Sequence, residues 1–243
     1  MFQIKKFALD LIPQEWELPA RYWYRAIRGM HEFELSVLSE YVNPRKRSID
    51  VGANIGIYSY ALSRLGSTVE SFEPLTECAL VILAFGHSRI HVHSEALSDV
   101  EGEMTIHFPI VAGYPNTPLA SLEHKQENGG RRNIQVRTLD SFNFIDIGFI
   151  KIDVEGHEMH VIEGARETIR KCRPVLLVEI EQRHHGTEPI EDVMNRICAL
   201  GYKGNFYSDG RVRPLSEFSV SRHQKWEDFS SGRYLNNFFF TPI

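Results

Sequence analysis

Between residues 47 and 181 the chain alternates short apolar runs with longer helix-patterned ones, and this rhythm restricts its architecture more than any other feature. RSIDV (47–51), VESFE (69–73), RIHVHSEAL (89–97), FIKIDV (149–154) and PVLLVEIE (174–181) read as strands. IGIYSYALSRLG (55–66), LTECALVILAFG (75–86) and MHVIEGARETIRK (159–171) lie among them and read as helices. Strands joined through helices of this length form βαβ units, so the expected core is an α/β parallel sheet with helices on both faces. Residues 98–142 interrupt the rhythm with GEMTIHFP, a stretch containing Gly, Pro and Asn, and IQVRTLDSF. They read as a hairpin-like insertion with a loop long enough to be functional or mobile. Residues 1–44 form an N-terminal helical extension, in which Phe33, Val37 and Leu38 share helical spacing and Asn43-Pro44 supplies the stop. Residues 45–243 form the main domain, closed after Glu181 by the helix IEDVMNRICALG and an antiparallel pair, YKGNFYS with YLNNFFFTPI.

Composition removes several classes of function. With 243 residues, 42% of them hydrophobic and 24% charged, the chain has material for one large core. A net charge of −5 provides no domain-wide basic field, which disfavours general nucleic-acid binding. Cys78, Cys172 and Cys198 are widely spaced and odd in number, the pattern of buried thiols in a reducing compartment rather than of disulfides or a zinc site. No apolar run reaches ~18 residues and MFQIKKFALDLIPQEW has none of signal-peptide length, so the expectation is a cytoplasmic protein with no membrane span. Phe2, Ile4, Phe7, Leu11 and Ile12 make a short amphipathic face, expected to dock on the protein's own core rather than on a membrane surface.

The first strand ends in a turn, DVGANIG, that carries the first chemical signal. Asp50 is an awkward residue in a strand buried on both faces. Gly52 permits close approach of a ligand to the backbone, and Gly56 opens the next helix; both also suit plain tight packing of strand against helix. Asn54 stands where a dinucleotide fingerprint has its second glycine, which argues against a pyrophosphate lying on the turn. Glu73 ends the second strand, followed by Pro74, at the spacing from which an acid takes both hydroxyls of a ribose. Glu95 and Ala96 follow the third strand, where an acid can accept from an adenine amino group and a small residue leaves room for its ring, although an ordinary loop explains them equally well. A nucleoside with a cationic side chain satisfies Asp50 and Glu73 together, and S-adenosylmethionine (SAM) is such a molecule.

The same stretches carry a family resemblance. IDVGANIG, ESFEP, EALSDVEGEMTIHF, VRTLDSF, FIKIDVEGHEMHVIEGA and LLVEIE run in order from about Ser48 to Glu181 and resemble the FkbM-type SAM-dependent methyltransferases. The resemblance implies a seven-stranded Rossmann-like sheet of order 3-2-1-4-5-7-6, mostly parallel with an antiparallel last strand. It implies SAM contacts at Asp50, Gly52, Ala53, Asn54, Gly56, Glu73 and the Glu95-Ala96 region, with Pro74 beside them. It also implies O-methylation of a small hydroxylated acceptor, such as a sugar or a natural-product intermediate, chosen by the segments outside 48–181.

The fourth strand offers the reacting groups. Lys151, Asp153 and Glu155 alternate onto one side, and Asp153 falls where a carboxylate can hold the cofactor's amino group or orient a hydroxyl. Lys151 and Glu155 read equally well as members of structural ion pairs with neighbours. His157 is the expected general base, with His184 and His185 as rivals. Asp153, Glu155, His157 and Glu158 could gather a divalent cation only with a further ligand such as Glu179 or Glu181, and no metal is expected. His91 and His93 are expected to pack or to face solvent. RYWYRAIRG and YLNNFFF can shape a sugar-stacking pocket, fill the core or form a homo-oligomer interface, and spacing does not separate these. Two other classes stay in view: a nicotinamide-dependent oxidoreductase, opposed by Asn54, and a noncatalytic SAM-binding protein.

Overall fold

A computed structural model describes residues 12–243 except 112–113, 116–118, 125–128 and 232. The amphipathic face of Phe2, Ile4, Phe7 and Leu11 lies outside these residues. Two helices come first, α1 (Gln14–Ile27) and α2 (Glu34–Tyr41). Then follow β1 (Arg47–Val51), α3 (Ile57–Arg64), β2 (Val69–Phe72), α4 (Thr76–Phe85) and β3 (Ile90–His93). The insertion holds β4 (Ala96–Leu97), β5 (Gly102–Phe108), the short pair β6 (Ile110–Val111) and β7 (Tyr114–Pro115), and β8 (Gly130–Arg137). The chain continues through β9 (Ile147–Ile152), α5 (Glu158–Glu163), α6 (Arg166–Cys172), β10 (Val175–Glu179) and α7 (Ile190–Ala199). It ends with β11 (Tyr202–Ser208), β12 (Arg211–Pro214), α8 (Val220–His223) and β13 (Asn237–Pro242).

The main sheet has the order β12-β11-β13-β10-β9-β1-β2-β3. Without β12 this is the expected 3-2-1-4-5-7-6 arrangement, with β13 antiparallel to β10 and β11. The eighth strand corrects the expected count of seven. Arg211–Pro214 is exposed, polar and ends in proline, which suits an edge strand and hides it from a search for apolar runs. Its hairpin turns at Asp209-Gly210, where φ is 52° and 69°, the two positive values a tight hairpin turn demands.

Alternation along the interior strands divides the core between the two faces. Ile49, Ile150, Leu176 and Phe238 pack with Val161 and Ile197 on one face, while Phe149, Leu177 and Phe239 pack with Leu38 and Leu62 on the other. Three successive phenylalanines, Phe238–Phe240, are fully buried because both faces of β13 are covered. α1 packs across α4 and α3, and Tyr41 of α2 stacks on Phe239 at 4.1 Å.

Two boundaries differ from the sequence reading. RIHVHSEAL divides into β3 of the main sheet and β4, which pairs with β8 in a second sheet of order β4-β8-β5. β2 ends at Phe72, so the chain after His93 has no further neighbour there and its backbone pairs with the insertion instead. MHVIEGARETIRK forms two helices that meet at Gly164-Ala165, and Gly164 lies against the Ser98 carbonyl, where a Cβ would approach to 1.9 Å. Asp140 then caps the second helix, accepting from the Glu167 and Thr168 amides at 2.9 and 2.8 Å. His91 and His93 do have a partner: their rings lie 2.9 and 2.6 Å from the Glu70 carboxylate, which Arg47 also contacts.

Candidate active site

The carboxyl ends of β1, β2 and β9 open on two adjoining cavities. The smaller is bordered by Gly52, Asn54, Glu73, Pro74, Leu75 and Ala96, and is roofed by Ile106 and the 119–124 segment through Ala120 and Leu122. The larger, of about 850 Å³, extends from the same turn toward β10, β13 and the α1–α2 connection. Gly52, Asn54, Asp153 and Glu155 line both. These four mark the place where one cavity passes into the other.

The turn after β1 is built as tightly as its glycines suggested, for a reason internal to the fold. A Cβ on Gly52 would meet the Asp153 carbonyl at 1.9 Å, and φ there is 75°. One on Gly56 would meet Ile82 at 2.8 Å and Leu18 at 3.2 Å. Close packing therefore accounts for both glycines without a ligand. Asn54 adopts a positive φ of 49°, an uncommon conformation for a residue with a side chain, and its carboxamide oxygen accepts from the Ile55 amide at 2.8 Å. Ala53 is buried and borders the larger cavity.

Glu73 is fixed by the turn it faces. One carboxylate oxygen accepts from the Asn54 amide and the other from the Leu75 amide, each at 2.8 Å. Burial pushes its pKa up to about 7, against the pull of those two bonds. Each oxygen retains acceptor capacity beyond its one amide bond, and Glu73 borders the smaller cavity. Pro74 and Ala96 lie beside it, whereas Glu95 is half-buried and borders neither cavity.

Register collects the charged groups of the larger cavity. Asp50 pairs with Lys151 across β1 and β9, Lys151 with Leu177 across β9 and β10, and Glu179 with Asn237 across β10 and β13. Period-two alternation turns Asp50, Lys151, Glu179 and Asn237 toward the α2–α3 face of the sheet. Asp50 is buried and accepts from the Ser59 hydroxyl at 2.5 Å; burial raises its pKa to about 6. Lys151 is 1% exposed, with Nζ 3.6 Å from Asp153 and 3.7 Å from Glu179 and no hydrogen bond. Burial alone would neutralise it, but Asp153, Glu179, Glu32 and Asp50 outweigh that and hold it charged. Glu179 is pushed well above the usual carboxylate range by burial and then by Asp153, with Lys151 opposing.

The other predicted residues take separate partners. Glu155, at a positive φ of 53°, sets its carboxylate 2.8 Å from His184 Nε2 and accepts at its carbonyl from the Ser121 hydroxyl. Glu155 thus pairs with its neighbour His184, with Arg183 3.9 Å away, while Lys151 pairs with Asp153 and Glu179. Glu158 turns back to accept from the Gly156 amide at 2.8 Å, and His185 lies 3.2 Å from its other oxygen. His157 is 2% exposed, with Nδ1 2.6 Å from Glu123 and Nε2 2.9 Å from the Ser98 hydroxyl. Burial lowers its pKa in spite of Glu123. Its ring borders the smaller cavity and not the larger. Asp153, Glu155, His157 and Glu158 do not converge on one point; among the described residues, the metal-ligating atoms lying within 4.8 Å of one another are those of Glu123, His157 and His160.

Several cavity residues escaped the sequence reading. Glu32 and Glu34 come from the helical section, Tyr58 from α3, Asn237 from the start of β13 and Asn236 from just before it. The stretch YLNNFFF held the one available signal: two asparagines directly before an apolar strand are costly to bury unless they serve a polar site. Glu181, drawn together with Arg183, Tyr234 and Asn236, is held below its usual range because these contacts outweigh burial. Among the described residues no helix is long and apolar enough to cross a membrane, and Cys78, Cys172 and Cys198 are free thiols.

Comparison with known proteins agrees with the architecture. An FkbM methyltransferase from Methylobacillus flagellatus KT superposes with a TM-score of 0.53 at 20% identity, over 86% of this chain and 48% of that one. The chain thus spans about half the length of that relative. A TehB-like SAM-dependent methyltransferase from Corynebacterium glutamicum is similar with a TM-score of 0.47 at 13% identity, over 94% of this chain and 98% of its own. A putative methyltransferase from Streptococcus mutans in complex with SAH gives 0.47 at 8% identity, over 86% and 96%. No curated protein matches the chain. Residues 50–203 match the methyltransferase FkbM domain, from the acid of the first strand to the beginning of β11. The chain belongs to the FkbM methyltransferase family, whose methyl donor is S-adenosylmethionine.

Proposed function

We propose that the protein is an O-methyltransferase that binds the adenosine of SAM in the smaller cavity, with the methionine end crossing the junction into the larger one, which also takes a hydroxylated acceptor. The observation that carries this reading is the junction at Gly52, Asn54, Asp153 and Glu155, where the two cavities meet beside a carboxylate. The residues present suit the cofactor. Glu73, held by two backbone amides, presents its remaining lone pairs for the ribose hydroxyls. Leu75, Ala96 and Ile106 give apolar walls for adenine. The Asp50 carboxylate and the buried Lys151 ammonium suit the two charged ends of an amino acid. Bound there, SAM supplies a methyl group on a positively charged sulfur.

With SAM in place, Asp153 would orient the acceptor hydroxyl and take up the proton that its oxygen gives up on receiving the methyl group. In this reading the base is Asp153, and His157, the base expected from the sequence, positions the site. Paired with Glu123 and Ser98, it ties the 119–124 segment to the start of α5 and so positions the roof of the cofactor cavity. No metal enters this scheme. Both the noncatalytic and the proton-transfer alternatives are open to one test. Asp153→Asn should lower kcat by ~10²–10⁴, the usual range for general-base catalysis. His157→Ala should weaken cofactor binding about tenfold with kcat within a few fold. The opposite pattern, a full-speed Asp153→Asn and a His157→Ala that binds SAM normally but does not turn over, would return the base to His157.

A further inference from the structure

One face of α1 is apolar and exposed. Trp16, Ala20, Trp23 and Ile27 follow one another at alternating steps of four and three, which at 3.6 residues per turn keeps them within about 60° of one another around the helix. Trp16, Trp23 and Ile27 are 62, 48 and 83% exposed, so this stripe points away from the side on which Leu18 is buried. Leu80 and Leu83 of α4, which packs against α1, are also more than half exposed. Exposed apolar surface gathered on neighbouring elements marks an interaction site.

The stripe is complementary to itself in size and in charge. About a two-fold axis midway between Trp16 and Ile27, a second copy running antiparallel sets Trp16 against Ile27 and the large Trp23 against the small Ala20. Glu17 in the first turn and Arg28 at the C-cap lie on the same flank of the stripe, about 90° and 110° from its centre. Such a two-fold brings like flanks together, so Glu17 of each copy faces Arg28 of the other with an axial offset of about 3 Å. Glu17 is steadied for this by Arg21, 2.7 Å away in its own helix. Parallel helices would bring opposite flanks together and set Glu17 beside Glu15 at the same end. A lipid surface suits the helix less, because an interfacial helix is rich in Lys and Arg on its polar face, and this one carries Glu15 and Glu17 in its first turn.

We infer that the protein forms a two-fold symmetric dimer through antiparallel α1 helices. Gly29, Met30 and His31, which follow the stripe, border the larger cavity, so the interface ends beside that cavity. Pairing needs no ligand and does not depend on the methyltransferase reading.

Sedimentation velocity of the full chain over a dilution series is the test. The wild type should approach twice the 28.0 kDa of one chain. Trp23→Glu and Ile27→Glu, at exposed positions, should keep the wild-type unfolding temperature and raise the dimer dissociation constant about thirtyfold or more, as loss of a central anchor does. Ala20→Phe adds apolar surface yet should also weaken the dimer, because its ring collides with the second copy's Trp23. Arg28→Glu should weaken it about two- to fivefold, and Glu17→Lys in the same chain should restore it. A monomer at every concentration overturns the inference, as does a dimer that Trp23→Glu and Ile27→Glu leave intact or that Ala20→Phe tightens. A monomer carried down with phosphatidylglycerol vesicles overturns it too, and makes the stripe a membrane contact.

Discussion

Burying Glu34 without a cation works against folding, and its pKa records this. Burial pushes it from 4.5 up to about 7, with the neighbouring Glu32 adding to the rise and Lys151 opposing it. A carboxyl group whose pKa is raised by folding contributes stability that is fully present below about 4.5 and is lost as pH rises through about 7. Glu34→Gln removes the titration and keeps the shape. The variant should match the wild type in thermal unfolding at pH 4 and exceed it at pH 8 by about 1–3 kcal/mol. Equal stability at both values would mean that the Glu34 carboxylate already has a counter-charge in solution. Asp50 and Glu73, raised by burial to about 6 and 7, act in the same direction over the same range. Residues that lower the stability of the ligand-free protein near neutral pH are thus concentrated where a ligand is expected, a recurring property of binding sites.

At the scale of elements, the turn after β1 shows how packing and binding share one set of residues. Gly52 is constrained by the carbonyl at the end of β9, so Gly52→Ala should destabilise the whole fold by several kcal/mol rather than only block a cofactor. A variant that unfolds at the wild-type temperature yet binds no SAM would instead assign the position to the ligand. Much of this element was legible beforehand. RSIDV and YKGNFYS match β1 and β11 residue for residue because apolar alternation and flanking glycines define both. The division of MHVIEGARETIRK and of RIHVHSEAL was not legible. The first break falls where Gly164 meets the remote Ser98 carbonyl, and the second follows from pairing with β8. Local pattern carries no information about such contacts. The hairpin to β12 lay between these extremes, with Asp209-Gly210 visible and its polar partner strand not.

For the whole molecule, the two cavities differ in how far sequence revealed them. The smaller cavity is assembled mainly at the ends of successive strands, and its lining residues Gly52, Asn54, Glu73, Pro74, Ala96 and Asp153 stand out in the sequence, although Glu95 borders neither cavity. The larger cavity joins residues 29–34, 50–58, 151–155, 179–183, 207–210 and 234–237, which only the sheet order 3-2-1-4-5-7-6 brings together. No spacing rule links Glu34 to Asn237. Titration calorimetry of wild type and Glu73→Ala with SAM asks whether this fold holds SAM against Glu73. Saturable binding by the wild type and a ten- to hundredfold larger dissociation constant for a folded Glu73→Ala are expected, corresponding to roughly 1.5–3 kcal/mol of lost charge-assisted hydrogen bonds. Absence of binding by the wild type, or the same dissociation constant in both proteins, would contradict this expectation.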